Sequence, residues 1–361
     1  MRFYMPVKVF DEKECVKAHA KDIAAFGKKA LIVTGKSSAY KNGSFDDVNE
    51  ALKSEKVDLL VFSEVEENPS TDTVFRAKEM FAGEGIDFVI GIGGGSPMDA
   101  AKAIALVLKH PEADLDYLYD GSRDPSTLPV ICVPTSCGSG SEVTGVSVLT
   151  RHDRKTKISM VHKVFPRLAL IDGKYIRDAS HTLIANCAAD ALAHMYESAL
   201  NAKADDYVQM TVNAGLKLWK RVKGVLTEER EASDEDRALL MRASTFAGMS
   251  IAGCGTALPH ALSYIPTYEL ALAHGRSVGY FLPAFMSAAP AEKRDELLAM
   301  AGFTDVNGLE AFLTKLFGMQ HIPEDVLERS YEAVKNNPAK MSCSAFAVDE
   351  KILKEIVFGR R

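Results

Sequence analysis

From residue 29 to residue 171 the sequence alternates short, continuously apolar runs with segments of helical periodicity, and few architectures satisfy that alternation. The runs are KALIVTG (29–35), DLLVF (58–62), DFVIGIG (87–93), LPVICVP (128–134) and residues 168–171; helical spacing fills 46–56, 71–83 and 96–109. A run that is apolar at every position has no solvent face. Strands of this kind separated by helices predict a parallel sheet covered on both sides. Beyond about Ala179 the strand pattern stops, and an Ala-, Leu-, Met- and Glu-rich remainder carries long helical periodicity. At 361 residues the chain exceeds the size of one ordinary core. The expectation is an α/β domain of the nucleotide-binding type over 1–175 and an all-α domain over 176–361, joined by a short packed connection at 172–178.

Several function classes are disfavoured by charge and composition. A net charge of -6 and the lack of any cluster of Lys and Arg interleaved with aromatics argue against a nucleic-acid partner. The basic stretch 151–157 also contains Asp153 and reads as a solvated turn. Residues 243–268 hold no charged side chain, but Pro259, His260 and Pro266 interrupt them, so a buried helix pair is predicted rather than a membrane span. The opening MRFYMPVKVF lacks the pattern of a signal peptide. Cys15, Cys132, Cys137, Cys187, Cys254 and Cys343 are scattered, without metal-ribbon or disulfide-framework spacing. Reduced thiols in a cytoplasmic protein are expected.

The run DFVIGIG leads directly into Gly94, Gly95, Ser96, Pro97, Met98 and Asp99. Ser96 is placed as a helix N-cap, Pro97 at the first helical position and Asp99 three residues after the cap. Glycines admit close backbone approach, and a helix N-terminus offers unpaired N–H groups to an anion, so Gly94, Gly95, Ser96 and Asp99 are candidates for a pyrophosphate seat. The same residues suit any tight strand-to-helix turn, and the motif is neither G-x-G-x-x-G nor a P-loop. A second polar turn, PTSCGSGSE (134–142), follows the next strand. Ligands in open α/β sheets bind at such strand ends.

In the helical half, Asp190 and His194 stand four apart on one helix face, and His260 and His274 follow downstream. One carboxylate and three imidazoles form a complete donor set for a divalent metal. Spacing alone does not join the two segments.

Taken together, GGGSPMDAAKA, PTSCGSGSEVT, DALAHMYE and HALSY…HG, with ENPS (67–70) and NNPAKMS (336–342), resemble the iron-containing, or group III, alcohol dehydrogenases, among them the butanol and propanediol dehydrogenase-like members. The resemblance implies a dinucleotide-binding α/β domain, a helical domain and an active site in the cleft between them. It implies metal ligation by Asp190, His194, His260 and His274, and cofactor contacts at Asn68, Gly95, Ser96, Thr135 and Ser139, with Lys157 near the nicotinamide ribose. Ser136 and Ser139 replace the usual threonines and keep their hydroxyls; Cys137 stands where alanine is usual. Fe(II) is implied, although Zn(II) accepts the same ligands. Where NAD-using relatives carry an aspartate, this chain has Gly35, followed by Lys36 and Ser37. Lysine and serine can bind a 2′-phosphate, so NADP is expected to be preferred, with NAD possible. Tyr264 occupies the place of a histidine credited with proton handling.

The reading is therefore an NAD(P)-dependent oxidoreductase of a small primary alcohol, diol or aldehyde, expected to be a homodimer that pairs through an edge strand in MRFYMPVKVF. A glycerol-dehydrogenase-like enzyme and a dehydroquinate-synthase-like lyase are the nearest alternatives. The lyase calls for many cations, and the stretch around His260 to His274 supplies only Arg276. A dinucleotide-binding protein without turnover is the remaining alternative.

Overall fold

Contacts divide the chain into Met5–Asp178 and a second compact unit beginning at Ala179; the structure, a computed structural model, describes residues 4–359. The first unit carries eight strands: β1 (Lys8–Asp11), β2 (Lys29–Gly35), β3 (Asp58–Val65), β4 (Phe88–Gly93), β5 (Val130–Pro134), β6 (Val148–Arg151), β7 (Thr156–Ser159) and β8 (Leu168–Ile171). Six form a sheet in the order β1-β8-β5-β4-β2-β3, and every pairing is parallel. Burial on both faces explains the unbroken apolar runs. Along β2, Leu31 and Val33 pack into one core with helices Thr71–Phe81 and Gly95–Lys109, while Ala30 and Ile32 pack into the other with helix Ser44–Ser54. Every residue of β4 and β5 is buried.

The strand order also locates a binding crevice. From β2 the chain winds outward to the edge strand β3 and then returns past β2 to β4, so winding reverses between the C-terminal ends of β2 and β4. A crevice opens at such a switch point. Gly35 ends one of these strands and Gly93 the other.

Two expectations for this unit need correction. Residues 151–157 are not simply a solvated turn, because β6 and β7 form an antiparallel hairpin. Arg151 is buried and bonded to Asp153 at 2.7 Å, and only the 3-10 turn His152–Arg154 and Lys155 close the hairpin. Helix Gly95–Lys109 begins at Gly95 with Gly94 as its N-cap, so Ser96 is not the cap and Pro97 is not the first helical residue. The glycine backbone makes the turn itself, which releases the Ser96 hydroxyl to accept the Asn68 N–H at 3.0 Å. Of the expected MRFYMPVKVF strand, residues 1–3 lie outside the described residues; β1 covers Lys8–Asp11 at the sheet edge.

The second unit is helical, with principal helices His181–Ala199, Asp206–Leu226, Asp234–Cys254, Leu258–Glu269 and His274–Ala288. Ser180 caps the first by accepting the Leu183 N–H, and a reciprocal capping box of Ser233 and Asp236 opens Asp234–Cys254. Helix His181–Ala199 is buried along most of its length, and Trp219, fully buried, donates its indole N–H to Ala188 O at 3.0 Å. The uncharged stretch 243–268 falls in two helices broken at 255–257. Among the described residues no helix is long and apolar enough to cross a membrane. All six cysteines are free thiols, and burial pushes those of Cys15 and Cys132 up to about 12.

Candidate active site

Helix His181–Ala199 places Asp190, His194 and Glu197 along one stripe, since positions i, i+4 and i+7 share a helix face. His260 lies in the first turn of Leu258–Glu269, and His274 opens His274–Ala288. The structure brings the two sequence segments together. Oδ1 of Asp190 lies 3.2 Å from Nε2 of His260, 3.8 Å from Nε2 of His274 and 3.9 Å from Nε2 of His194. The ligand atoms of Asp190, His260 and His274 all fall within 4.8 Å of one another. The His194 and His260 rings stack with centroids 4.4 Å apart.

These distances fit a metal ion. Donors about 2.1 Å from a tetrahedral ion stand about 3.4 Å apart, a spacing that the compact trio of Asp190, His260 and His274 approaches, while His194 lies outside that trio and meets it through Asp190 at 3.9 Å. The donor set of one oxygen and three nitrogens suits divalent iron or zinc. Asp190, His194 and His260 are buried, whereas the His274 side chain keeps 27% of its exposure, which marks the accessible side of the centre.

Electrostatics follow from the packing. Burial raises the pKa of Asp190, but the charges of His194 and His274 and the hydrogen bond to His260 outweigh it and hold the carboxyl below its usual range. Burial lowers that of His260, while the Glu197 charge and bonds to both carboxylates lift it to about 9. A proton and a metal ion compete for the same imidazole lone pair, so ion binding releases protons.

Close backbone approach sets the position of His274. A Cβ built on Gly275 would stand 1.9 Å from the carbonyl oxygen of Asn186 in helix His181–Ala199, so only glycine lets the two helices meet there. Ser277 Oγ donates to Ser263 O at 3.1 Å, fixing the third helix to the second. The Tyr264 ring lies parallel to that of His274 with centroids 6.4 Å apart, so this residue does border the centre. Glu197, which sequence reasoning overlooked, is completely buried, and its Oε1 lies 2.5 Å from Nδ1 of His260. Its stripe with Asp190 and His194 was the available signal.

In the first unit, Asn68 links two other expected cofactor residues, Ser96 and Lys157, to Thr150. It adopts a left-handed backbone at φ 57°, bonds Ser96 Oγ through its N–H, accepts Thr150 Oγ1 at 2.8 Å and accepts Lys157 Nζ at 2.9 Å. The two polar turns are in contact: a Cβ on Gly94 would meet Ser136 Oγ at 3.1 Å, and one on Gly95 would meet Ser139 at 3.0 Å. Thr135 donates its N–H to Gly93 O at 2.8 Å. The N-terminus of a fifteen-residue helix thus sits in a cradle that side chains would fill.

Asp99 departs from its expected role. Its carboxylate accepts Ser141 Oγ at 2.5 Å and Val148 N at 2.9 Å, and therefore holds the second polar turn. The fully buried Lys102 supports it, donating to Ser141 O and Val146 O at 2.8 Å each. Lys36, just beyond β2, shares a depression with Glu64, Glu66, Ser70, Asp72, Thr73 and Arg76. Gly35 lies at the β2 end with Ser37 just before the short helix Ser38–Lys41.

Comparison with known proteins places the chain in a family. The model of the iron-containing alcohol dehydrogenases matches residues 6–173, and that of the C-terminal part of the same family matches residues 184–342. Aldehyde-alcohol dehydrogenase 2 of Entamoeba histolytica is 31% identical over 78% of this chain, and the match spans 33% of that protein's own length. The NADPH-dependent butanol dehydrogenase of Clostridium saccharobutylicum is 27% identical over 91% of this chain and 86% of its own. The crystal structure of an iron-containing alcohol dehydrogenase from Thermotoga maritima superposes with a TM-score of 0.91 at 34% identity, covering 99% of each chain. The chain belongs to the iron-containing alcohol dehydrogenase family.

Proposed function

We propose that this protein is a metal-dependent oxidoreductase that transfers hydride between a nicotinamide dinucleotide and a small primary alcohol, diol or aldehyde. The observation that carries the reading is the convergence of three imidazole Nε2 atoms on one buried carboxylate oxygen. Asp190, His194, His260 and His274 would hold the ion, with Fe(II) favoured by the family and Zn(II) compatible with the donors. When bound, a divalent ion supplies Lewis acidity that favours the alkoxide form of an alcohol and polarises an aldehyde.

The chain's own residues do the remainder. One aspartate and three neutral histidines leave a divalent centre net positive. His274 borders the side open to substrate, and Tyr264 beside it offers a hydroxyl for hydrogen bonding to the substrate oxygen. Gly94, Gly95, Ser96, Thr135, Ser136 and Ser139 would cradle the pyrophosphate. Lys157, steered by Asn68, would contact the nicotinamide ribose. Asp99 serves the cofactor through the loop that it holds.

NADP is the preferred cofactor in this reading. Lys36 and Ser37 follow Gly35 where a carboxylate would repel a 2′-phosphate; in the depression that Lys36 borders, Arg76 pairs with Glu64 at 3.5 Å, and Glu66 and Asp72 add further carboxylates. Glu66, also there, accepts the Ser70 N–H and the Thr73 hydroxyl, so its charge is partly engaged. The protein is proposed to act in the cytoplasm as a homodimer formed along the β1 edge. Reduction of short aldehydes, followed through absorbance of NADPH and NADH with Fe(II) or Zn(II) present, tests these assignments. A higher kcat/KM with NADPH, reduced selectively by Lys36→Glu, supports the cofactor assignment. Faster turnover with NADH contradicts it and leaves the reaction class standing.

A further inference from the structure

We propose that Glu197 is a positioning residue of the metal centre: its carboxylate fixes the His260 ring in the tautomer that presents Nε2 to a divalent ion, and anchors that ring to the start of its own helix. The inference rests on the reading of Asp190, His194, His260 and His274 as ligands.

Glu197 has no solvent exposure, and its ion-pair partner is His260. A buried carboxylate is costly unless it is paired and hydrogen-bonded on both oxygens. Oε1 lies 2.5 Å from His260 Nδ1, while Oε2 accepts the Ala257 N–H at 2.5 Å and, more weakly, the His260 N–H at 3.5 Å. Both ring nitrogens face carboxylates, which only accept when ionised, and the much shorter contact to Glu197 (2.5 Å against 3.2 Å to Asp190) places the hydrogen of the neutral imidazole on Nδ1 and leaves Nε2 its lone pair. That lone pair faces the side where Asp190 Oδ1 stands 3.2 Å away. Carboxylate–imidazole–metal relays of this kind orient the ring and raise its basicity as a ligand.

The second oxygen adds a constraint that a purely local brace would not. Ala257 is the N-cap of Leu258–Glu269, a helix end with no side-chain cap of its own, so Glu197 holds the helix start and the ring together. Because Glu197 shares its stripe with Asp190 and His194, one side chain fixes His260 against two other ligands.

Glu197→Gln keeps the shape and removes the charge. Its amide offers one acceptor oxygen where the His260 Nδ1–H and the Ala257 and His260 backbone N–H groups converge, so either Ala257 loses its partner or His260 adopts the tautomer whose Nε2 is protonated and cannot ligate. Metal affinity, measured by chelator competition with Zn(II) and with anaerobic Fe(II), is expected to fall about 10- to 100-fold in Glu197→Gln. In a His260→Ala background the same substitution is expected to cost nothing further, since the ring it serves is gone. A Glu197→Gln protein that binds metal as the wild type does, or that loses the same factor in both backgrounds, overturns the proposal. If His260→Ala leaves affinity unchanged, the ligand reading fails and takes the proposal with it. Nitrogen-15 NMR of the zinc-loaded wild type gives an answer that does not depend on any variant folding. A protonated Nδ1 at His260 is expected, and a protonated Nε2 overturns the proposal.

Discussion

Gly275→Ala puts the assembly of the metal centre to a quantitative test. The new Cβ would lie 1.9 Å from the Asn186 carbonyl oxygen and 2.8 Å from its carbonyl carbon, both rigid backbone atoms inside helix His181–Ala199. Real Cβ contacts do not fall below 3.0 Å, so the start of His274–Ala288 must retreat by about 1 Å. His274 is the neighbouring residue and moves with it. Ligand distances in a working metal site hold to about 0.2 Å, so the displacement exceeds that tolerance several-fold. Overpacking should lower stability by about 1–3 kcal/mol, and an ångström of misplacement should lower kcat/KM by about 100-fold. Gly279→Ala is the control on the same helix, where a Cβ would make ordinary contact with Phe317 at 3.4 Å. It should be neutral, or stabilising by up to about 1 kcal/mol through helix propensity. Urea denaturation and chelator competition on both variants read the two effects separately. Wild-type metal affinity in Gly275→Ala would refute the close-approach argument, as would equal losses in the two variants.

Other consequences are simpler to measure. Gly95→Val places side-chain atoms against Ser139, where even a Cβ is 3.0 Å away, and should weaken dinucleotide binding by about 10-fold, or ~1.4 kcal/mol, in a fluorescence titration that leaves metal affinity unchanged. Asn68→Ala should lower stability by about 1–2 kcal/mol, since alanine tolerates φ 57° poorly, while Asn68→Gly should recover most of that loss and still lack the bond from Lys157. The Arg230 hydrogen bond and the Ser233 cap hold the Asp236 carboxyl below the usual range against the effect of burial, so its contribution is present above the ordinary carboxylate pKa and is lost as pH falls through the folded value. Asp236→Asn should therefore cost about 1 kcal/mol at neutral pH, and in denaturant melts the gap to wild type should begin to narrow below about pH 4 and close only as pH reaches the lower folded value.

Much of the α/β unit was legible because a strand buried on both faces leaves an unbroken apolar run. KALIVTG and DFVIGIG coincide with β2 and β4 to within a residue. The β6–β7 hairpin escaped because VLTR and TKIS are short and mostly polar, so periodicity had little to detect. Ser96 was misplaced as a cap because Gly94 can turn the chain without a side chain, a choice that propensity does not distinguish. The sequence places Asp99 in the first turn as a candidate for the pyrophosphate seat, but its bonds reach residues 141 and 148, beyond any local pattern. The metal centre shows the same limit. Asp190 and His194 were a helix-face pair in the sequence, yet their meeting with His260 and His274 depends on helix packing that spacing does not encode. Glu197 was passed over because a helical glutamate ordinarily faces water; burial and a ring nitrogen at 2.5 Å reveal its place.

Removing the metal tests the central claim most directly. The purified chain, stripped with a chelator, should lose aldehyde reduction while still binding dinucleotide, and should regain it on anaerobic addition of one equivalent of Fe(II) per chain. In Asp190→Ala, addition of Fe(II) should restore nothing. Full activity in the stripped protein, or restoration of Asp190→Ala by Fe(II), would contradict the account.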